Sequence, residues 1–144
     1  MTILRDSVAI NSVKALIRSA EGRYLILTLN QHPYFGNDID LPGGEFDEGE
    51  SIYQAIAREV YEETGLKIKG SACYIRASTR KYSRSGNLYN LVEMELDRPA
   101  SIKLSQEHID YEWLKVDEVI ERSARSKNGY LHLAADILAG KLRH

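Results

Sequence analysis

The sequence predicts an α/β domain with a mixed β-sheet between helices. Apolar runs of strand length alternate along the chain with segments of helical periodicity, and turn-forming residues separate them. No linker, repeat or low-complexity stretch interrupts that order, so residues 1–144 read as one domain, the default for this length.

The elements follow in order. Asn11 to Arg18 and Tyr24 to Leu29 are apolar runs on either side of Ala20-Glu21-Gly22-Arg23, which predicts a hairpin. Gln31 to Asp38 contains Pro33, Gly36 and Asn37 and reads as a loop. Leu41-Pro42-Gly43-Gly44 then bends the chain ahead of a helix. Ser51 to Glu63 holds good helix formers with no Gly or Pro; Gly49 to Ser51 can cap its start, and Gly65 sits where a C-cap is expected. Ala72 to Ser78 and Leu88 to Leu96 are further strands, joined through Ser83-Arg84-Ser85-Gly86-Asn87. Tyr111 to Val116 reads as a short strand and Asp117 to Arg122 as a short helix. Tyr130 to Ala139 places Leu131, Ala134, Ile137 and Leu138 on one helical face.

Hydrophobic residues make up 43% of the chain and charged residues 28%, as in an ordinary globular protein. The net charge of −2 hides an uneven distribution: Gly44 to Leu66 carries seven acidic residues and one Arg, a net −6, which leaves +4 elsewhere. An acidic pocket in a mildly basic body suits a phosphate-rich ligand brought in with a cation. A duplex nucleic-acid binder would show a basic stripe instead. The single Cys73 excludes an internal disulfide and reads as a buried strand residue. His32, His108, His132 and His144 are too scattered for a zinc set and read as ordinary loop or surface residues, although His132 could approach a substrate pocket. No targeting segment or membrane-spanning run is visible, so the expected location is cytoplasmic, with no membrane partner.

The predicted helix carries the chemistry. At about 100° per residue, Ile52, Ala55 and Ile56 share an arc that Glu59, Glu62 and Glu63 continue in the last two turns. Like charges three and four residues apart cost about 0.2–0.5 kcal/mol per pair. Carboxylates at a helix C-terminus also oppose the macrodipole, and burial adds desolvation. A hard divalent cation relieves all three, since Mg²⁺ and Mn²⁺ favour carboxylate oxygens. The competing reading is a solvated acidic face; the shared register with the apolar stripe favours a cation.

Nine positions in this window fit one spaced pattern: Gly44, Glu50, Arg58-Glu59-Val60, Glu62-Glu63 and Gly65-Leu66. The pattern resembles the signature box of the Nudix hydrolases without a mismatch. The resemblance implies an α/β/α sandwich with a mixed sheet. It also implies hydrolysis of a nucleoside diphosphate linked to another moiety, by water attack on phosphorus with one to three Mg²⁺ or Mn²⁺ ions. Substrates of this kind include nucleoside triphosphates, dinucleoside polyphosphates and nucleotide sugars. Glu59 and Glu63 would be the principal metal ligands, with Glu62 shared or bridging through water and the Gly43 carbonyl completing the shell. Arg58 would orient a site carboxylate and pair with Glu50, while Gly44, Glu50 and Gly65 serve the motif structurally. Downstream, Gln106 to Leu114 resembles the segment that carries a loop carboxylate six residues before a tryptophan, here Glu107 before Trp113; Asp110 and Glu112 compete with it. The general base would be Glu59 or Glu107. The chain departs from the family at Ile39, where an aromatic residue is common, and at Leu29-Asn30, where basic residues often contact phosphate. Homodimers are common in the family, so a homodimer is an expectation here too.

Arg76, Arg80, Lys81 and Arg84 place four cations in nine residues around Tyr82. Such a loop could grip phosphate and stack a base, or be a solvated hairpin. Tyr82 stands sixteen residues beyond Leu66, a spacing that resembles the dinucleoside polyphosphate hydrolases. A function of another class is a ligand-sensing module that keeps the fold without turnover; its mark would be erosion of Glu59, Glu62 or Glu63, and all three are intact. Action on the 5′ end of RNA is disfavoured by the modest net charge and the lack of a basic tail.

Overall fold

The computed structural model describes residues 11–141. Strands β1 (Asn11–Arg18) and β2 (Tyr24–Leu29) leave a turn closed by Ser19 and Arg23, and pair at Arg18 and Tyr24. Beyond that pair they part. The segment β3 (Ile39–Asp40) to β4 (Gly43–Glu45) fills the opening: β3 runs antiparallel to β2, and β4 antiparallel to β1. At the corner between them, the Ala15 N–H donates to the Pro42 carbonyl at 2.9 Å. On the far side of β1 lies β6 (Leu88–Glu95), parallel to it, with β5 (Tyr74–Thr79) antiparallel beyond. Strand β7 (His108–Leu114) pairs antiparallel with β2 and completes a mixed sheet of seven strands.

Alternation along the strands sends side chains to two separate cores. Val13, Ala15, Ile17, Leu25 and Leu27 pack with Ala55, Ile56 and Val60 of helix α1 (Ile52–Thr64). Leu16, Tyr24 and Ile26 face the other way, onto helices α2 (Val116–Ala124) and α3 (Gly129–Leu138). The expected α/β/α sandwich is the observed one. Each fully buried Leu or Ile in these layers contributes about 1.5–3 kcal/mol.

Local chemistry fixes where α1 begins and ends. The Ser51 hydroxyl accepts from the Gln54 N–H while the Gln54 side chain accepts from the Ser51 N–H, a reciprocal cap. Gly65 stops the helix by adopting φ +75°, with its N–H on the Tyr61 carbonyl. Most boundaries shift by a residue or two from the sequence expectation, and three differences have a clear structural cause. Gly43 to Glu45 pairs with β1 as a strand, where a bend alone was expected. β7 begins at His108, three residues earlier than read, because β2 supplies partners out to Leu29. β5 starts at Tyr74 because Gly70–Ala72 winds into a 3₁₀ turn. No helix among the described residues is long and apolar enough to cross a membrane.

Backbone contact at Gly43 is the tightest point of the fold. Its φ is +140°, and a Cβ there would lie 2.1 Å from the Val13 carbonyl oxygen and 2.6 Å from the Lys14 Cα. Neither neighbour is a flexible side-chain end. Gly43→Ala should therefore destabilise the protein by about 2–3 kcal/mol in urea unfolding; wild-type stability would contradict the close β1–β4 approach.

Candidate active site

Where β1 and β2 part, a cleft of about 390 Å³ opens onto the C-terminal turns of α1. Its walls come from β4, from α1, and from the residues leading into β7: Gly43, Gly44, Glu59, Glu63, Glu107 and His108. Glu63 is 5% exposed, and its carboxylate accepts the Gly43 N–H at 3.1 Å. Glu59 lies against Gly44 so closely that a Cβ on that glycine would meet its carboxylate at 2.6–2.8 Å. A side chain there would displace the Glu59 carboxylate from its present position.

A cation is built into the same wall. Lys14 points from β1 to the corner, where its Nζ donates to the Asp40 carboxylate at 2.8 Å and to the carbonyls of Leu41 and Gly43 at 3.2 and 3.3 Å. Asp40 in turn accepts from Asn128 Nδ2 and from the Leu41 N–H, both at 2.8 Å. Burial works to lower the Lys14 pKa, but the Asp40 and Glu63 carboxylates outweigh it and raise the value on balance. Behind the cleft, Arg58 forks onto Glu50 through Nε at 2.6 Å and Nη2 at 2.9 Å, and reaches the Glu45 carbonyl at 3.1 Å. Its remaining Nη1 lies 3.2 Å from both Glu59 and Glu62. Arg58, held on Glu50, thus stands within hydrogen-bond reach of the Glu59 carboxylate.

Of the acids read from the sequence, Glu59, Glu63 and Glu107 line this cleft, whereas Glu62 does not. The Glu62 side chain is 55% exposed and turns back to Arg58, which corrects the expectation of three acids on one inward face. The buried stripe of α1 runs through Ile56, Val60 and Glu63, and Glu62 lies about 100° of helix rotation from Glu63. Asp110 and Glu112 stay outside; Glu112 pairs with Arg122 at 3.1 Å. His32 and His108 were read as ordinary, yet both line the cleft. His108 is 5% exposed with neither ring nitrogen bonded to a described residue, and burial lowers its pKa despite the nearby Asp40 carboxylate. Lys14, Asp40 and His108 escaped notice as site residues. The one visible signal was a lysine inside the apolar run of β1.

The profile of the NUDIX domain matches residues 9–134. The chain belongs to the Nudix hydrolase family. It is 34% identical over 86 residues to the asymmetrical bis(5'-nucleosyl)-tetraphosphatase of Rattus norvegicus, covering 56% of this chain. The matched region spans 57% of that relative's length. A MutT protein from Methanosarcina mazei Go1 superposes with a TM-score of 0.74 at 26% identity, over 92% of this chain and 94% of that one. An Ap4A hydrolase from C. elegans shares the fold with a TM-score of 0.62 at 22% identity, over 90% of this chain and 98% of that one.

As in the Nudix box, the donors suit a hard divalent cation. Two carboxylates, on Glu59 and Glu63, stand beside the main chain of Gly43, and Glu107 overlooks them from the rim. Among the described residues, no three acidic, His or Cys side chains form a ready-made cage.

From the acids, the Nudix cleft runs through a stretch of about 250 Å³ to a wider hollow of about 710 Å³. The acid cleft and the middle stretch share Lys14, His32, Asp40, Gly44 and Glu45; the middle stretch and the hollow share Phe35, Asn87 and Tyr89. One groove results. Tyr34, Tyr82, Arg84 and Lys127 line its far end, with Arg84 and Lys127 each 5.8 Å from the Tyr34 ring centre. Of the substrate-loop residues read from the sequence, Tyr82 and Arg84 reach this groove; Arg80 and Lys81 do not. Both lie on the exposed side of the β5–β6 connection, and Lys81 stacks over Tyr82 from outside, 5.7 Å from its ring centre. Tyr82 donates its hydroxyl to Asp136 of α3, and burial with that carboxylate pushes its pKa to about 12.

Burial pushes the Glu63 carboxyl from 4.5 up to about 8, with Lys14 and the Gly43 N–H opposing the shift. The native state therefore holds a proton on Glu63 that the unfolded chain releases near 4.5. Stability from this group is present below that value and is lost as pH rises towards 8. Metal-free protein should melt at progressively lower temperature from pH 5 to pH 8, with the slope reduced in Glu63→Gln. Millimolar Mg²⁺ should restore the melting temperature at pH 8 by binding the ionised, folded form. Thermal scans in EDTA and in Mg²⁺ check both, and a flat EDTA profile would be the contrary result.

Proposed function

We propose that the chain is a divalent-metal-dependent pyrophosphohydrolase that cleaves a nucleoside polyphosphate by water attack on phosphorus. The juxtaposition carrying this reading is a pair of inward carboxylates, Glu59 and Glu63, at one end of a groove whose other end is aromatic and basic. One to three Mg²⁺ or Mn²⁺ ions held by Glu59, Glu63 and the Gly43 carbonyl, with Glu107 at the rim, would neutralise the phosphates and acidify a bound water.

The chain's own residues supply the rest. Arg58, anchored by Glu50 and the Glu45 carbonyl, fixes the position of the Glu59 carboxylate. Lys14 fixes the carbonyl of Gly43, and Gly43 in turn holds one oxygen of Glu63. Burial raises the Glu59 pKa, with Arg58 opposing, which brings that carboxylate nearer the range of an effective general base. Glu107, on the exposed rim, is the competing base. At the far end, Tyr34 offers a face for a nucleobase while Arg84 and Lys127 offer charge to phosphate. A substrate with a base beyond a phosphate chain fits both ends, so dinucleoside polyphosphates are the favoured class. The kinship with the rat tetraphosphatase supports that choice.

Activity should appear in a phosphate-release screen with Mg²⁺ across nucleoside triphosphates, dinucleoside polyphosphates, nucleotide sugars and ADP-ribose, highest on dinucleoside polyphosphates. Glu59→Gln and Glu63→Gln should each lower kcat by a factor on the order of 10²–10³ while far-UV circular dichroism stays native. Nucleotide binding without turnover of any of these compounds would favour a sensing module instead.

A further inference from the structure

The middle stretch of the groove joins the acids to the aromatic end, and its polar atoms are mostly committed to the protein. Lys14 Nζ uses its donors on Asp40, Leu41 and Gly43. Ser12 Oγ bonds the Tyr130 hydroxyl at 2.7 Å, and Asn128 uses its amide on Ile39, Asp40 and Tyr130. His32 differs. Its Nδ1 accepts the N–H groups of Tyr34 at 3.0 Å and Phe35 at 3.1 Å, so the ring proton resides on Nε2. Nε2 lies on the opposite edge of the ring and has no partner among the described residues. The ring forms part of the wall of both the acid cleft and the middle stretch.

The loop behind His32 is built to hold that ring still. His32 and Gly36 exchange both main-chain hydrogen bonds at 2.8 Å, and the Gln31 N–H donates to the Asn37 side chain at 2.7 Å. Gln31 accepts φ +52° to close the loop, a conformation rare for a residue with a side chain. The loop's last residue, Asp38, accepts from Ser126 Oγ at 3.0 Å and from the Lys127 N–H at 2.9 Å.

We infer that His32 is a substrate-contacting, specificity-determining residue. Its Nε2–H donates to a phosphate oxygen of the chain that runs from the acid cleft to the aromatic end. The substrate class this selects is a nucleotide whose chain extends past the two phosphates seated at the acids. The inference rests on the pyrophosphohydrolase reading and names the group that measures chain length.

Two variants separate contact from loop structure. His32→Asn keeps an acceptor for the two loop N–H groups, as Asn does in tight turns, and removes the distal donor. His32→Gln places an amide N–H near the position of Nε2. The measurements are kcat and KM with Mg²⁺ on diadenosine tetraphosphate and on ADP-ribose, calorimetric binding of inorganic tripolyphosphate, and the melting temperature. In His32→Asn, KM for the tetraphosphate and Kd for tripolyphosphate should each rise about tenfold, the loss of one hydrogen bond to a charged group. The rise in KM for ADP-ribose should be smaller, kcat should move less than KM, and the melting temperature should hold. His32→Gln should recover most of the loss. Unchanged KM, an equal loss on both substrates, or a fall in melting temperature that Gln shares would each overturn the inference. If the wild type hydrolyses neither compound, the pyrophosphohydrolase reading fails, and the tripolyphosphate arm still decides the role of His32.

Discussion

The main chain at Gly43 makes three contacts at once, binding β1 and α1 to the same corner. It pairs with Lys14 across β1, gives its N–H to Glu63 of α1, and presents its carbonyl to the Lys14 ammonium. No side chain fits there, so the β1–β4 pairing reaches an approach that any Cβ would prevent. This contact brings the C-terminal turns of α1 over the corner and makes two carboxylates face a backbone rather than water. Glu63 then sits in surroundings that favour its neutral form, an environment that the proposed divalent cation would offset.

Much of this was legible in the chain. The strand and helix alternation, the cap at Ser51 and the stop at Gly65 follow from short-range chemistry; the early start of β7 and the pairing of β4 depend on partners distant in sequence. Glu59 and Glu63 share one helical register, which brings both to the cleft, whereas Glu107 was singled out only by the resemblance of its segment to the family's. Glu62 was misplaced for a reason of angle: three residues of separation leaves it on the shoulder of the stripe, where Arg58 holds it in solvent. The contributions of Lys14, Asp40 and His108 could not be read locally. They meet only because β1, β3 and β7 converge where β1 and β2 part, and that is a property of the sheet.

Charge in the groove is graded. A buried acid, Glu63, and a half-buried one, Glu59, occupy one end, a lysine neutralised by Asp40 marks the boundary, and Arg84 with Lys127 flanks the aromatic end. Since Lys14 is paired internally, it fixes geometry and adds little free positive charge. Under the proposed function, a polyanion arriving with a divalent cation would meet the acids at one end and basic side chains at the other, an orientation set by electrostatics before detailed contacts form.

The bonds from Asp38 to Ser126 and Lys127 join loops 88 and 89 residues apart in sequence. One loop carries Tyr34 and the other Lys127, so opposite banks of the groove are tied by a bridge beneath it. Under the proposed function, a polyphosphate entering there would find both banks already joined, which reduces the conformational entropy lost on association.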